Sequence, residues 1–192
     1  KGTEFLWVVD PLDGSTNYSI RNPFFDISIA LAHRTPAGWD VISGVVYAPF
    51  TKEVFFAERG EGAFLNGEQI AVSKESELSR LLLVYCSGYT EREILRAIRL
   101  FSSLKPVCRD FNRMRAGALE LAFVACGRLG AYISPGGKPW DAAAGSLLVE
   151  EAGGRVTDFQ GNPWTVEGEE RDILATNRVV HEKLLELVKK VK

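Results

Sequence analysis

The spacing of apolar residues changes character once, near residue 81, and that change limits the folds open to this chain. Before it, residues 25–32, 39–47 and 53–57 are runs of strand length rich in Ile, Val and Phe. Turn formers separate them at Thr35-Pro-Ala-Gly38 and Pro49-Phe-Thr-Lys52. These predict an antiparallel meander, and residues 63–66 and 68–72 extend it as a hairpin turning at Asn66-Gly67.

After residue 81 strand and helix patterns alternate. Residues 81–86 read as a strand, and Thr90-Glu-Arg-Glu93 is a capping box opening a helix to about residue 104. Residues 115–126 carry apolar groups at helical spacing closed by Gly127, and 130–134 read as a buried strand. A second helix over 140–152 ends at Gly153-Gly154. Residues 155–158 and 172–175 read as short strands, and Val180, Leu184, Leu187 and Val191 mark one face of a final helix. With 192 residues, 46% of them hydrophobic, and no repeat or linker, we expect one α/β domain of layered α+β type spanning 1–192.

Net charge and cysteine usage exclude several classes. The formal charge is −2 and Lys and Arg are scattered, which argues against a nucleic-acid or membrane surface and for a small substrate. No apolar run approaches the ~20 residues of a membrane span, and Lys1-Gly-Thr-Glu4 does not resemble a signal peptide. Cys86, Cys108 and Cys126 lie far apart without metal-binding or disulfide spacing, so a reducing cytoplasm is the expected setting. Of the two histidines, His33 sits in a strand pattern and His181 in the first turn of the last helix; neither has a Ser or Cys partner that would make a triad.

The chemistry concentrates in Trp7-Val-Val-Asp-Pro-Leu-Asp-Gly-Ser-Thr-Asn17, where an apolar run stops at Asp10-Pro11. Two carboxylates three residues apart at such a turn can aim at one point, where they repel unless a cation lies between them, and an oxygen-rich site of that kind suits Mg²⁺. Gly14 lets backbone approach a ligand, and Ser15-Thr16 can start a helix whose N–H groups attract phosphate. The same Asp-Pro-Leu-Asp-Gly is also what an ordinary turn would contain. Pro139-Trp-Asp-Ala-Ala-Ala-Gly145 places Asp141 in the first turn of an apolar helix, a position the helix dipole favours on its own account.

Taken together, the two motifs resemble those of the inositol monophosphatase family, which includes archaeal-type fructose-1,6-bisphosphatases and phosphoadenosine-phosphate phosphatases. Gly44-Val-Val-Tyr-Ala-Pro49, residues 58–67 and 116–128, Glu151-Ala-Gly-Gly154 and Ile173-Leu-Ala-Thr-Asn177 extend the resemblance along the chain. It implies an αβαβα sandwich, a homodimer, two or three Mg²⁺ ions and hydrolysis of inositol monophosphate or a related sugar phosphate by an activated water. Fructose 1,6-bisphosphate and nucleotide phosphates such as NADP or phosphoadenosine phosphate are rival substrates, and a non-catalytic phosphate-ligand-binding relative is the rival of another class. Carried over by position, Asp10, the Leu12 carbonyl, Asp13 and Asp141 would hold the metal. Gly14, Ser15 and Thr16 would hold phosphate, and the Ser15 hydroxyl, where the family usually has Thr, would orient the water.

Three features depart from the family. A strand pattern feeds straight into the first motif, so the helical segment that supplies a further metal-binding glutamate is missing; we expect the chain to be weak or inactive until it is restored. Ser134 stands where inositol-selective members place a glutamate, and Lys138 is a candidate for a second anionic group, or an exposed loop lysine. Arg113-Met-Arg-Ala-Gly-Ala118 replaces the usual Gly-Ser-Ala-Ala, its arginines facing either substrate or solvent. Asn17-Tyr-Ser19 matches a glycosylation sequon by chance.

Overall fold

The computed structural model describes residues 4–88, 90–168 and 171–191; the first three residues of the start that was compared with a signal peptide lie outside them. The meander forms as the turn signals predict. Strands β1 (Phe5–Asp13), β2 (Asp26–Thr35), β3 (Gly38–Ala48), β4 (Glu53–Glu58), β5 (Gly62–Leu65) and β6 (Glu68–Ile70) make one antiparallel sheet in sequence order. Asn66 and Gly67 both take positive φ, 51° and 87°, as the two-residue turn between β5 and β6 requires.

The second half builds a mixed sheet in the order β10 (Arg155–Thr157), β11 (Arg171–Thr176), β9 (Ala131–Gly137), β7 (Leu82–Tyr85) and β8 (Asp110–Asn112). There β7 runs parallel to β8 and β9, while β11 is antiparallel to its neighbours. The three-residue β8 is too short to carry a period and escapes a sequence reading.

Helices α3 (Gly117–Ala125) and α4 (Pro139–Glu151) lie between the sheets, and this explains their long apolar runs, since residues 118–122 of α3 and 142–149 of α4 are buried. Helices α2 (Glu91–Leu104) and α5 (His181–Lys189) cover the far face of the second sheet, where Leu100 and Leu104 of α2 and Leu184 and Leu185 of α5 meet Ile133 and Leu174. Among the described residues the layers run sheet, helices, sheet, helices.

Close approach of α4 depends on small residues. A Cβ on Gly44 of β3 would lie 3.0 Å from the Ala144 Cα, and one on Gly145 would lie 2.5 Å from the Leu121 Cβ of α3. The stretch Ala142–Gly145 therefore seats α4 against both neighbours and fixes where its first turn points.

Two expectations about β1 need correcting. The strand does not stop at Asp10-Pro11 but continues to Asp13, because β1 is an edge strand and proline's missing N–H costs no ladder bond there. Nor is the run buried: Val8 faces the core, while Trp7 is 65% exposed and Phe5 and Val9 are exposed too.

Candidate active site

In a regular strand, residues three apart point to opposite faces. The pairing of β1 with β2 slips between Asp10 and Asp13, with Asp10 opposite Ser28 and Asp13 opposite Asp26. This irregularity turns both carboxylates toward one point. Opposite them, α4 begins at Pro139 and brings Asp141 in its first turn. Carboxylate oxygens of Asp10, Asp13 and Asp141 all lie within 4.8 Å of one another. They share a cavity of about 500 Å³ with Leu12, Gly14, Ser15, Thr16 and Trp140.

Each carboxylate is held in place from a different side. Asp10 Oδ1 accepts the Leu12 N–H at 3.0 Å, and Asp13 Oδ2 accepts the Ala118 N–H of α3 at 2.8 Å. Burial, and then the charge of Asp10, push the Asp13 carboxyl up to about 6 against the Ala118 and Gly14 N–H groups that favour its charged form. Burial, then the charges of Asp13 and Asp10, push Asp141 up to about 7, while the Lys138 backbone N–H opposes this. Three convergent carboxylates, with Asp13 and Asp141 both resisting ionisation, offer an all-oxygen donor set that could hold a cation. The residues present therefore fit a hard divalent metal ion.

Two further carboxyls carry no motif. Asp26 is fully buried beside the Asp13 carboxylate, and among its described neighbours only the Leu119 backbone N–H favours its charged form. Burial, and then the Asp13 charge, raise its pKa well above the carboxylate range, which favours the neutral acid. Glu120, inside α3, accepts the Met114 N–H at 2.8 Å, and burial pushes it up to about 8. Both leave a trace in the sequence: Asp26 and Ser28 begin the buried face of β2, and Glu120 is the one charged residue in a helix otherwise wholly apolar.

Among the residues expected to touch substrate, Ser15 and Thr16 open α1 (Ser15–Ser19) on the cavity wall, and Gly14 precedes them with φ 81°, where a side chain would be strained. Ser134 is different: it is fully buried within β9 and does not line the cavity. The side chain of Lys138 is absent from the lining too, and this residue reaches the site through its backbone N–H on Asp141. Arg113 and Arg115, left open between substrate and solvent, are exposed and line the cavity.

Other residues are excluded from the chemistry. Cys86 lines the cavity, but burial raises its thiol, so it is a neutral wall. Asn17 is buried and donates through Nδ2 to the Phe24 and Met114 carbonyls, both at 2.7 Å, which closes the sequon to modification. His181 is buried between Thr157 and Thr176. A wider cavity of about 720 Å³ between α2 and α5 holds no carboxylate cluster among the described residues, and its Arg96 is bound to Asp172.

The model of the inositol monophosphatase family matches residues 1–192. The chain belongs to the inositol monophosphatase family. It is 40% identical to Nus factor SuhB of Pasteurella multocida over 84% of this chain and 59% of that protein, and 38% identical to the chloroplastic phosphatase IMPL1 of Arabidopsis thaliana over 97% and 50%. It thus spans only part of the length of these relatives. An inositol monophosphatase structure from Anabaena (Nostoc) superposes with TM-score 0.90 at 40% identity, covering 99% of this chain and 73% of that one. The Thermotoga maritima IMPase gives 0.88 at 31%, covering 100% and 71%. The α/β layered fold of this family is therefore the fold of this chain. No helix among the described residues is long and apolar enough to cross a membrane.

Proposed function

We propose that this family member is a Mg²⁺-dependent phosphate-monoester hydrolase acting on inositol monophosphate or a related sugar phosphate. The observation that carries the reading is the convergence, within 4.8 Å, of three carboxylates drawn from opposite ends of the chain. Asp10, the Leu12 carbonyl, Asp13 and Asp141 would hold the metal. When bound, Mg²⁺ would offset their charge and supply the Lewis acid for phosphoryl transfer to water.

In this reading the protein's own groups position the reactants. Gly14, Ser15 and Thr16 hold the phosphoryl group at the start of α1, and the Ser15 hydroxyl orients the attacking water. The Ala118 N–H keeps Asp13 aimed into the cavity. Fructose 1,6-bisphosphate and nucleotide phosphates remain the rival substrates. Exposed Ile94, Leu95, Ile98 and Phe101 on α2 support a homodimer as the working state, checked by light scattering on the eluted protein.

A second reading, ligand or partner binding without turnover, draws on the relatives named Nus factor SuhB. Phosphate release from a panel of phosphate esters, with Mg²⁺ and with chelator, separates the two. Asp10→Asn is expected to remove the release while the fold persists. Unchanged turnover in that variant would sink the site assignment, and binding of a phosphorylated ligand that is never hydrolysed would favour the second reading.

A further inference from the structure

Once a divalent cation offsets the aspartates, two positive charges at the mouth of the site are left over. Arg113 and Arg115 are both exposed, both line the cavity that holds Asp10, Asp13 and Asp141, and neither forms an ion pair or side-chain hydrogen bond with another described residue. They also line an adjoining groove of about 830 Å³ that runs past Thr16, Ile20, Pro23 and Phe50. The pair thus stands where the site opens outward, at the junction between the acidic cluster and a space large enough for the rest of a substrate.

The backbone adds an independent sign. Arg115 sits at φ 68°, in the left-handed region where glycine is free and a side chain is strained. Nothing in the packing asks for a long side chain there, since Arg115 is exposed and the following Ala116 supplies the buried contact. A strained, unpartnered arginine on the rim of a cation-binding cavity is the kind of feature that function retains. Guanidinium groups bind phosphate and carboxylate through paired N–H donors, which gives a definite ligand chemistry.

We propose that Arg113 and Arg115 form a subsite for a second anionic group, so that the preferred substrate is a phosphate ester carrying a further phosphate or carboxylate away from the reacting phosphoryl group. This rests on the hydrolase reading for where the reacting phosphate sits. The two arginines would bind the far anion, and their contribution would fall on substrate binding.

Matched pairs test it. Fructose 1,6-bisphosphate against fructose 1-phosphate varies only a distal phosphate, and 2-phosphoglycerate against glycerol 2-phosphate asks the same of a carboxylate. The protein is expected to prefer the doubly anionic member of at least one pair, and Arg113→Gln and Arg115→Gly to lower that kcat/KM ratio by about 10- to 100-fold, mainly through KM. Arg115→Gly relaxes the left-handed backbone, so its thermal midpoint is expected to hold or rise, which separates lost recognition from lost folding. Calorimetric titration with fructose 1,6-bisphosphate and with 2-phosphoglycerate supplies a readout that needs no turnover. Weaker binding of either in both variants supports the subsite. No preference within either pair, or ratios and affinities unchanged by both substitutions, overturns it. If no ester is hydrolysed, the hydrolase reading fails and the titrations alone decide the subsite.

Discussion

The carboxylate of Asp13 accepts the Ala118 N–H at 2.8 Å across 105 residues of chain, clamping the end of β1 to the first turn of α3. The bond ties a proposed ligand of the cation to the helix layer between the sheets. Asp13→Asn keeps an oxygen to accept that N–H but removes the charge; Asp13→Ala removes both. Each variant is expected to lower Mg²⁺-dependent phosphate release by at least ~100-fold. In urea unfolding with chelator present, alanine is expected to cost about 1–2 kcal/mol more than asparagine, because it orphans the helix donor. Equal stability of the two variants would show that the clamp contributes nothing.

Crowded carboxylates give the cation-free protein a particular pH dependence. Asp13, Asp141 and Glu120 titrate near 6, 7 and 8 when folded, above the ~4 of an unfolded carboxylate. Between those values the folded state holds protons that the unfolded chain has released, so stability falls as pH rises. From pH 5 to 8.5 the loss is expected to reach at least about 2 kcal/mol in chelator, and Mg²⁺ is expected to reduce it. Denaturant midpoints across that range provide the check, and a flat profile in chelator would show that these groups are not held as described.

Local sequence signals and long-range packing differ in how far a sequence shows them. Turn chemistry at Asn66-Gly67 and the capping box at Thr90 and Glu93 are local, so sequence reveals them and the structure has both. The extent of β1 is not legible in sequence because Pro11 breaks a central strand but not an edge strand, and edge position is a property of the whole sheet. Asp26 and Glu120 lie in no motif, and each matters only through being folded against the site. Family resemblance puts Ser134 against substrate, whereas the strand buries it.

His181 opposes the carboxylates in acid. Its ring lies between the Thr157 and Thr176 hydroxyls, at 3.1 and 2.9 Å, and burial, with Arg155 adding to it, lowers its pKa to about 4. The neutral ring is favoured in the fold, so the unfolded chain takes up the proton first, and stability is lost as pH falls from about 6.5 toward 4. Because the carboxylates change stability in the opposite direction over part of this range, the useful quantity is a difference. The stability advantage of the wild type over His181→Gln is expected to shrink by about 2 kcal/mol between pH 7 and pH 4.5. An advantage that does not vary with pH would mean the imidazole is protonated in the fold or reaches water.

Packing and chemistry meet at Gly44. A Cβ there would sit 3.0 Å from the Ala144 Cα and 3.2 Å from the Ala144 carbonyl oxygen, so α4 can lie against β3 only where β3 has no side chain. Ala144 follows Asp141 by one turn of α4, and any displacement of that turn moves Asp141 relative to Asp10 and Asp13 on the sheet. Gly44→Val is therefore expected to destabilise by about 1–3 kcal/mol through overpacking. It is also expected to weaken Mg²⁺ binding about 10-fold or more, although the substitution touches no ligand. Calorimetric titration with Mg²⁺ beside urea unfolding reads both effects. Loss of stability with unchanged Mg²⁺ affinity would mean that the cation site keeps its geometry independently of how α4 is seated.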